Sequence, residues 1–227
     1  MADLSCSEDF DSVLKSLKPN TPIAINIPAT GQEGYEKRFN EVAVPLAQMG
    51  VASFIWELPL YGSRRKEGLK LGHIMPDINS FICMGSMCIE EVKAMAYHLY
   101  DLDLKLISIC GISLGGCLTN LTVANIKIPV ASASMFSGHS GDAFFLDGCL
   151  KLNCDWDKVK ESMPAELSSL QSPLHIKRNV MGKYTNIFHF DVPVADDSCI
   201  QIRAIHDQYV GIDSIYMIKE RWPRCHL

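Results

Sequence analysis

The chain has 227 residues, 48% of them hydrophobic and 21% charged, which is enough apolar material for a buried core and excludes a disordered chain. Its 21 Lys and Arg against 26 Asp and Glu give a net charge of −5, so no global basic field draws it to nucleic acid or to an anionic membrane. No apolar run approaches the ~20 residues of a membrane span. The acidic start Met1-Ala2-Asp3-Leu4-Ser5-Cys6-Ser7-Glu8-Asp9-Phe10 lacks an apolar signal core, which makes cytoplasmic the default expectation.

The length suits one α/β domain over residues 1–227. Pro22 to Ile27 reads as a short buried strand, broken by Pro28-Ala29-Thr30-Gly31. A helix is expected next, with Tyr35, Phe39, Val42, Ala43 and Leu46 on one face and Gly50 at its end. Val51 to Trp56 reads as the second strand. Glu57 to Gly62 is then a turn, followed by a basic loop at Arg64-Arg65-Lys66. Residues 67 to 83 read as irregular, with Pro76 interrupting any continuous helix. Gly85 to Tyr100 reads as a helix with Cys88, Val92, Met95, Ala96 and Leu99 inward and Glu90 and Glu91 outward.

The most informative stretch follows. Leu104 to Ile109 is strand-like and runs into Gly111-Ile112-Ser113-Leu114-Gly115, after which Leu114, Cys117, Leu118, Leu121 and Ala124 recur at helical spacing. A Gly-x-Ser-x-Gly between strand and helix is the context of a nucleophile elbow, in which strained backbone lifts the serine hydroxyl clear of the sheet. Ile128 to Met135 reads as a further strand. Residues 138–190 change character, with Pro164 and Pro173 and a short apolar spacing at Val159, Met163, Leu167 and Leu170; this segment is expected to be a lid or insertion whose Met163 and Leu167 line an acyl pocket or else cover the sheet. Ser198 to Ile205 reads as the last strand, ended by His206-Asp207-Gln208-Tyr209, and Asp213 to about Arg221 as the last helix.

Strands alternating with helices imply a mainly parallel sheet covered on both faces, with its active groups at the carboxyl ends of the strands. Thr30, Ser113 and Asp207 all fall at such ends. A serine hydroxyl needs a base to take its proton, a group to orient that base, and backbone N–H donors for the oxyanion. Leu114 and the Thr30-Gly31 loop are placed to supply the donors, and Asp207 to supply the acid; the other reading of Asp207 is an ordinary turn aspartate. Nine cysteines without a Cys-x-x-Cys pair indicate neither a metal site nor a redox motif, and no cofactor is expected.

These blocks resemble the α/β-hydrolase superfamily and, within it, the alpha/beta-hydrolase domain-containing protein 18 family. The resemblance rests on Ala29-Thr30-Gly31, Glu57-x-Pro59-x-Tyr61-Gly62-x-Arg64-Arg65, Met84-Gly85, Gly111 to Gly116, Val192-Pro193-Val194, Asp207-x-Tyr209 and Trp222-Pro223-x-Cys225. It implies a three-layer α/β-hydrolase-like fold and serine-dependent hydrolysis of a small ester or a lipid, with Ser113 as nucleophile and Asp207 as triad acid. Gln32-Glu33 stand where the family carries Asp-His. The family histidine follows one more strand beyond Trp-Pro-x-Cys and the fold's first strands would precede Pro22, so by this resemblance the chain reads as shortened at both ends, with five core strands ending near 27, 56, 110, 136 and 205 and its final strand missing. Among the histidines here, His206, His139 and His226 are candidates for a substitute base. Tyr61, Arg64 and Arg65 are candidate substrate contacts, the arginines facing either an anionic group or solvent. A non-catalytic binding protein on the same fold, or a shortened form of a longer enzyme, remains the alternative.

Overall fold

The computed structural model describes residues 7–65, 78–145 and 178–227. An amino-terminal helix α1 (Ser7–Ser16) precedes β1 (Ile23–Ile27), β2 (Ala52–Ile55), β3 (Ile107–Ile112), β4 (Ala131–Met135) and β5 (Cys199–Ile202). The five strands form one sheet in the order β2-β1-β3-β4-β5, and every pair is parallel. β1 is buried at all five positions, as an inner strand of a parallel sheet must be when helices cover both faces. Its one polar residue, Asn26, is satisfied in place. Its amide donates to the carbonyls of Ala24 and Phe54, and its oxygen accepts from the Cys110 thiol at 2.9 Å.

Between β1 and β2 the expected single helix is divided into α2 (Glu36–Arg38), a π-helical turn (Phe39–Ala43) and α3 (Val44–Gln48). The cause is Pro45, which has no N–H and whose ring crowds the carbonyl four residues back; the wider turn makes room for it. Ala43 is buried as expected, but Tyr35 and Phe39 lie exposed, contrary to the simple 3.6-residue count.

Helix α4 (Ile78–Asp101) starts earlier than the sequence reading placed it and takes in residues 78–83. Its inner stripe is as expected: Cys88, Val92, Ala96 and Leu99 are fully buried. Helix α5 (Leu114–Ala124) follows β3 and is buried on nearly every side, because it packs on β1, β3 and β4 and is covered in turn by α4. After β4 come α6 (Asp142–Phe145), a π-helical turn (Arg178–Gly182) and α7 (Lys183–Thr185). Val159, Met163, Leu167 and Leu170 of the expected lid lie outside the described residues, as does Lys66.

β5 is shorter than expected, because Arg203 to Ile205 leave the sheet and Ile205 is 80% exposed. Helix α8 (Ile212–Arg221) then returns along the sheet to the buried Trp222 and Cys225. Past them the backbone pairs once more: His226 bridges Ile200 in parallel, its N–H donating to Cys199 and its carbonyl accepting from Gln201, both at 2.8 Å. The sheet therefore continues one bridge beyond β5.

Candidate active site

β3 ends at Ile112 and α5 begins at Leu114, so Ser113 must turn the chain in one residue. It does so at φ 57°, ψ −117°, a region that L-residues enter at a cost of ~1–3 kcal/mol. Two bonds hold it there. Its N–H donates to the Met135 carbonyl at 2.8 Å, and its carbonyl accepts from Cys117 at 3.0 Å. The flanking glycines are a matter of space. A Cβ on Gly111 would overlap the Gly115 backbone, and one on Gly115 would lie 2.7 Å from the Pro28 oxygen.

Ser113 opens on a cavity whose mouth is open to solvent. Thr30, Tyr61 and Leu114 also line it, together with apolar side chains of α4 and α5 such as Phe81, Ile82, Ile89, Leu118 and Leu121. Thr30, Leu114 and Tyr61 come from three separate segments and share this cavity with Ser113; Gly31 is not in its lining. Burial pushes the Tyr61 phenol above its ordinary value, an effect opposed by a hydrogen bond from the Gly31 backbone. Cys117, one turn beyond Ser113, also faces the cavity; burial pushes its thiol up to about 12, so it is a neutral apolar wall at ordinary pH.

The loop after β1 is closed on itself. Gln32 N–H donates to the Ala29 carbonyl at 3.1 Å, and the Gln32 side-chain oxygen accepts from Ala29 N–H at 2.9 Å. Gly31 within it sits at φ 76°, where glycine is favoured. Gln32 thus has a loop-closing role in this chain, and Glu33 pairs with Arg65.

Asp207 is placed differently from Ser113. It lines a separate, smaller depression with Phe136, Ser137, Arg203 and Val210. Its Oδ1 accepts from Tyr209 N–H at 2.8 Å and Val210 N–H at 3.1 Å, the bonding of an aspartate that shapes a turn. The neighbouring His206 is exposed. His139, in the loop after β4, has Nδ1 2.7 Å from the Ser214 hydroxyl and stands edge-on to Phe188. The His226 ring meets the Asp197 carbonyl at 3.0 Å. None of these three histidines lines the Ser113 cavity.

The two arginines have carboxylate partners. Arg64 forks onto Glu91 with bonds of 2.5 and 2.7 Å and donates to the Glu57 carbonyl at 3.0 Å; Arg65 pairs with Glu33. Neither lines the cavity. Among the described residues, no three His, Cys, Asp or Glu side chains gather as a metal site, and no helix is long and apolar enough to cross a membrane.

The fold is shared with solved esterases. The Pyrococcus furiosus esterase Pf2001 superposes with a TM-score of 0.51 at 14% identity, over 91% of this chain and 69% of its own. The apo form of Thermogutta terrifontis esterase 2 gives 0.54 at 14% identity, over 93% and 73%. The same esterase phosphonylated by sarin gives 0.54 at 16% identity, over 93% and 74%. At such identities the likeness concerns the fold. The sequence itself goes further: residues 12–167 match the family described as Alpha/beta hydrolase domain containing 18, and with more than half of its length matched, the chain belongs to that family.

Proposed function

We propose that this chain carries a serine ester hydrolase site. The observation that supports it is the single-residue turn at Ser113, held in strained backbone at the wall of a largely apolar cavity. Strain at a reactive side chain with an adjoining pocket is the arrangement of a presented nucleophile. In this reading Ser113 Oγ attacks the acyl carbon of an ester as a base takes its proton. The Leu114 N–H and the amides of the Thr30-Gly31 loop receive the oxyanion, and the proton passes to the departing alcohol. Water then releases the acyl group from Ser113 by the same route. The cavity walls from α4 and α5 suit an uncharged, apolar acyl group, since they offer little to pair with a charge there.

Asp207 is the acid in this proposal, and a histidine is the base it orients. In the resembling family that histidine follows one more strand past the Trp-Pro-x-Cys block, and the His226 bridge beside β5 supports that strand's position. His206, His139 and His226 are the bases to test within the chain itself.

The test is labelling of the folded 227-residue chain with a fluorophosphonate probe, with Ser113→Ala as control. Labelling that disappears in the variant supports the hydrolase reading. A folded chain that takes no label favours a binding protein on the hydrolase fold. That second reading is supported by the Asp207 carboxylate being engaged in its own turn and by its lying outside the Ser113 cavity.

A further inference from the structure

In the Glu57-x-Pro59-x-Tyr61-Gly62-x-Arg64-Arg65 block only Tyr61 lines the Ser113 cavity, yet the block's first residue is a carboxylate only 4% exposed. Glu57 lies just past β2, on the same rim of the sheet as the Thr30-Gly31 loop. Its Oε1 accepts from Gly34 N–H at 2.9 Å. Its Oε2 accepts from the Ser63 N–H at 3.1 Å and the Ser63 hydroxyl at 2.5 Å. One carboxylate therefore joins the loop after β1 to the loop after β2. Arg38, 5% exposed and electrostatically coupled to Glu57, completes the joint. It donates to the Gly34 carbonyl at 2.8 Å and to the Trp56 carbonyl. Gly34 thus gives its N–H to the buried anion and its carbonyl to the buried cation. Gly62 adds a steric mark of the same joint, because a Cβ there would overlap the Glu57 carboxylate.

Burial disfavours the Arg38 charge, and Glu57 opposes that effect. The two charges meet through Gly34 rather than directly; buried charges are a weak source of net stability, and what their directed hydrogen bonds fix is geometry. The geometry fixed here is that of two loops whose inner residues, Thr30 and Tyr61, both face the Ser113 cavity.

We propose that Glu57, with Arg38, is a positioning residue that anchors the oxyanion-receiving loop of the Ser113 site. This assignment rests on the ester-hydrolase reading above. The acceptor atoms of Glu57 set where residues 29–34 lie, and Tyr61 is carried on the other side of the same anchor.

The test compares the full chain with Glu57→Gln, which keeps the shape but loses the charge and one acceptor oxygen. Two quantities are read: amide hydrogen exchange over residues 29–34 and 61–65, and the rate of fluorophosphonate labelling. Exchange at 29–34 is expected to rise roughly tenfold while residues 118–124 of α5 stay as they were. Labelling is expected to slow on the order of 10²-fold, the scale of a ~1 Å misplacement of catalytic groups, and Glu57→Asp is expected to recover part of it. Unchanged exchange at 29–34 overturns the anchor, as does loosened exchange with labelling at the original rate. If the unmodified chain takes no label, the hydrolase reading fails, and the exchange comparison alone then upholds or overturns the anchor. If Glu57→Gln does not fold, Ser63→Ala removes one bond only and is held to the same two outcomes.

Discussion

Substituting Gly115 by alanine tests whether the elbow depends on close contact between helix and strand. A Cβ at this position would lie 2.7 Å from the Pro28 oxygen and closer still to that of Ile27. Both are backbone atoms at the end of β1, so no side-chain rotation relieves the overlap. Helix α5 would have to retreat from β1, but Gly116 on its other flank already stands where a Cβ would be 2.9 Å from the Met135 oxygen. The start of the helix is wedged between two strands. Overpacking of this kind costs about 3 kcal/mol. For a chain of this size that corresponds to a fall in Tm of roughly 6–12 °C.

Gly85→Ala is the matched control. It lies inside α4, and its added methyl meets only a Leu118 methyl at 3.5 Å, an ordinary contact. Removing a mid-helix glycine is then favourable by about 1 kcal/mol, and Tm should rise by roughly 2–4 °C. Thermal melts followed by circular dichroism measure both. If Gly115→Ala melts within 2 °C of the parent (about the precision of such melts), or if Gly85→Ala loses as much as Gly115→Ala, the spacing argument is refuted.

The remaining predictions concern the core. Burial pushes the thiols of Cys88 and Cys117 up to about 12 and those of Cys110 and Cys199 up to about 11, from an ordinary value of 9.0. The unfolded chain therefore releases these protons first as pH rises, so stability is complete below about pH 9 and falls above it, by about 1 kcal/mol per thiol per pH unit. Urea unfolding at pH 8 and pH 10 measures the slope, and a Cys88→Ala, Cys117→Ala double variant should flatten it; an equal slope in that variant argues against the assignment. Trp222 is fully buried, and its indole N–H has no partner among the described residues. Trp222→Ala should therefore lower stability by about 3–5 kcal/mol. Trp222→Phe keeps most of the volume and loses no hydrogen bond, so it should cost about 1–2 kcal/mol in the same urea titration. A phenylalanine variant as weak as the alanine variant would show that the indole nitrogen matters after all.

Much of this was legible in the chain because it is local. Strands β1 to β4 follow from short apolar runs, and the inner stripe of α4 follows from a 3.6-residue recurrence. The elbow follows from two glycines around a serine, since only that composition lets a helix start against a strand without a gap. Where local rules failed, a single residue or a distant contact was the reason. Pro45 broke the helix with a π-helical turn over Phe39–Ala43, an effect invisible to a count that assumes uniform helix. β5 stopped at Ile202 although Arg203 to Ile205 alternate as a strand does, because the sheet offers them no continuing partner. A buried joint such as that of Glu57, Arg38 and Gly34 leaves only a faint sequence trace, a charged residue beside a strand end.

Sequence alone determined that a serine would be presented between a parallel strand and a buried helix, because that outcome depends on residues within a few positions of one another. Tertiary structure decided what surrounds that serine. It joined Thr30, Tyr61 and Leu114 in one cavity and placed Asp207 in a separate depression. It also turned Arg64 and Arg65 toward Glu91 and Glu33. Those placements are set by contacts between residues up to tens of positions apart, where charge and packing compete, and no spacing rule along the chain encodes their result.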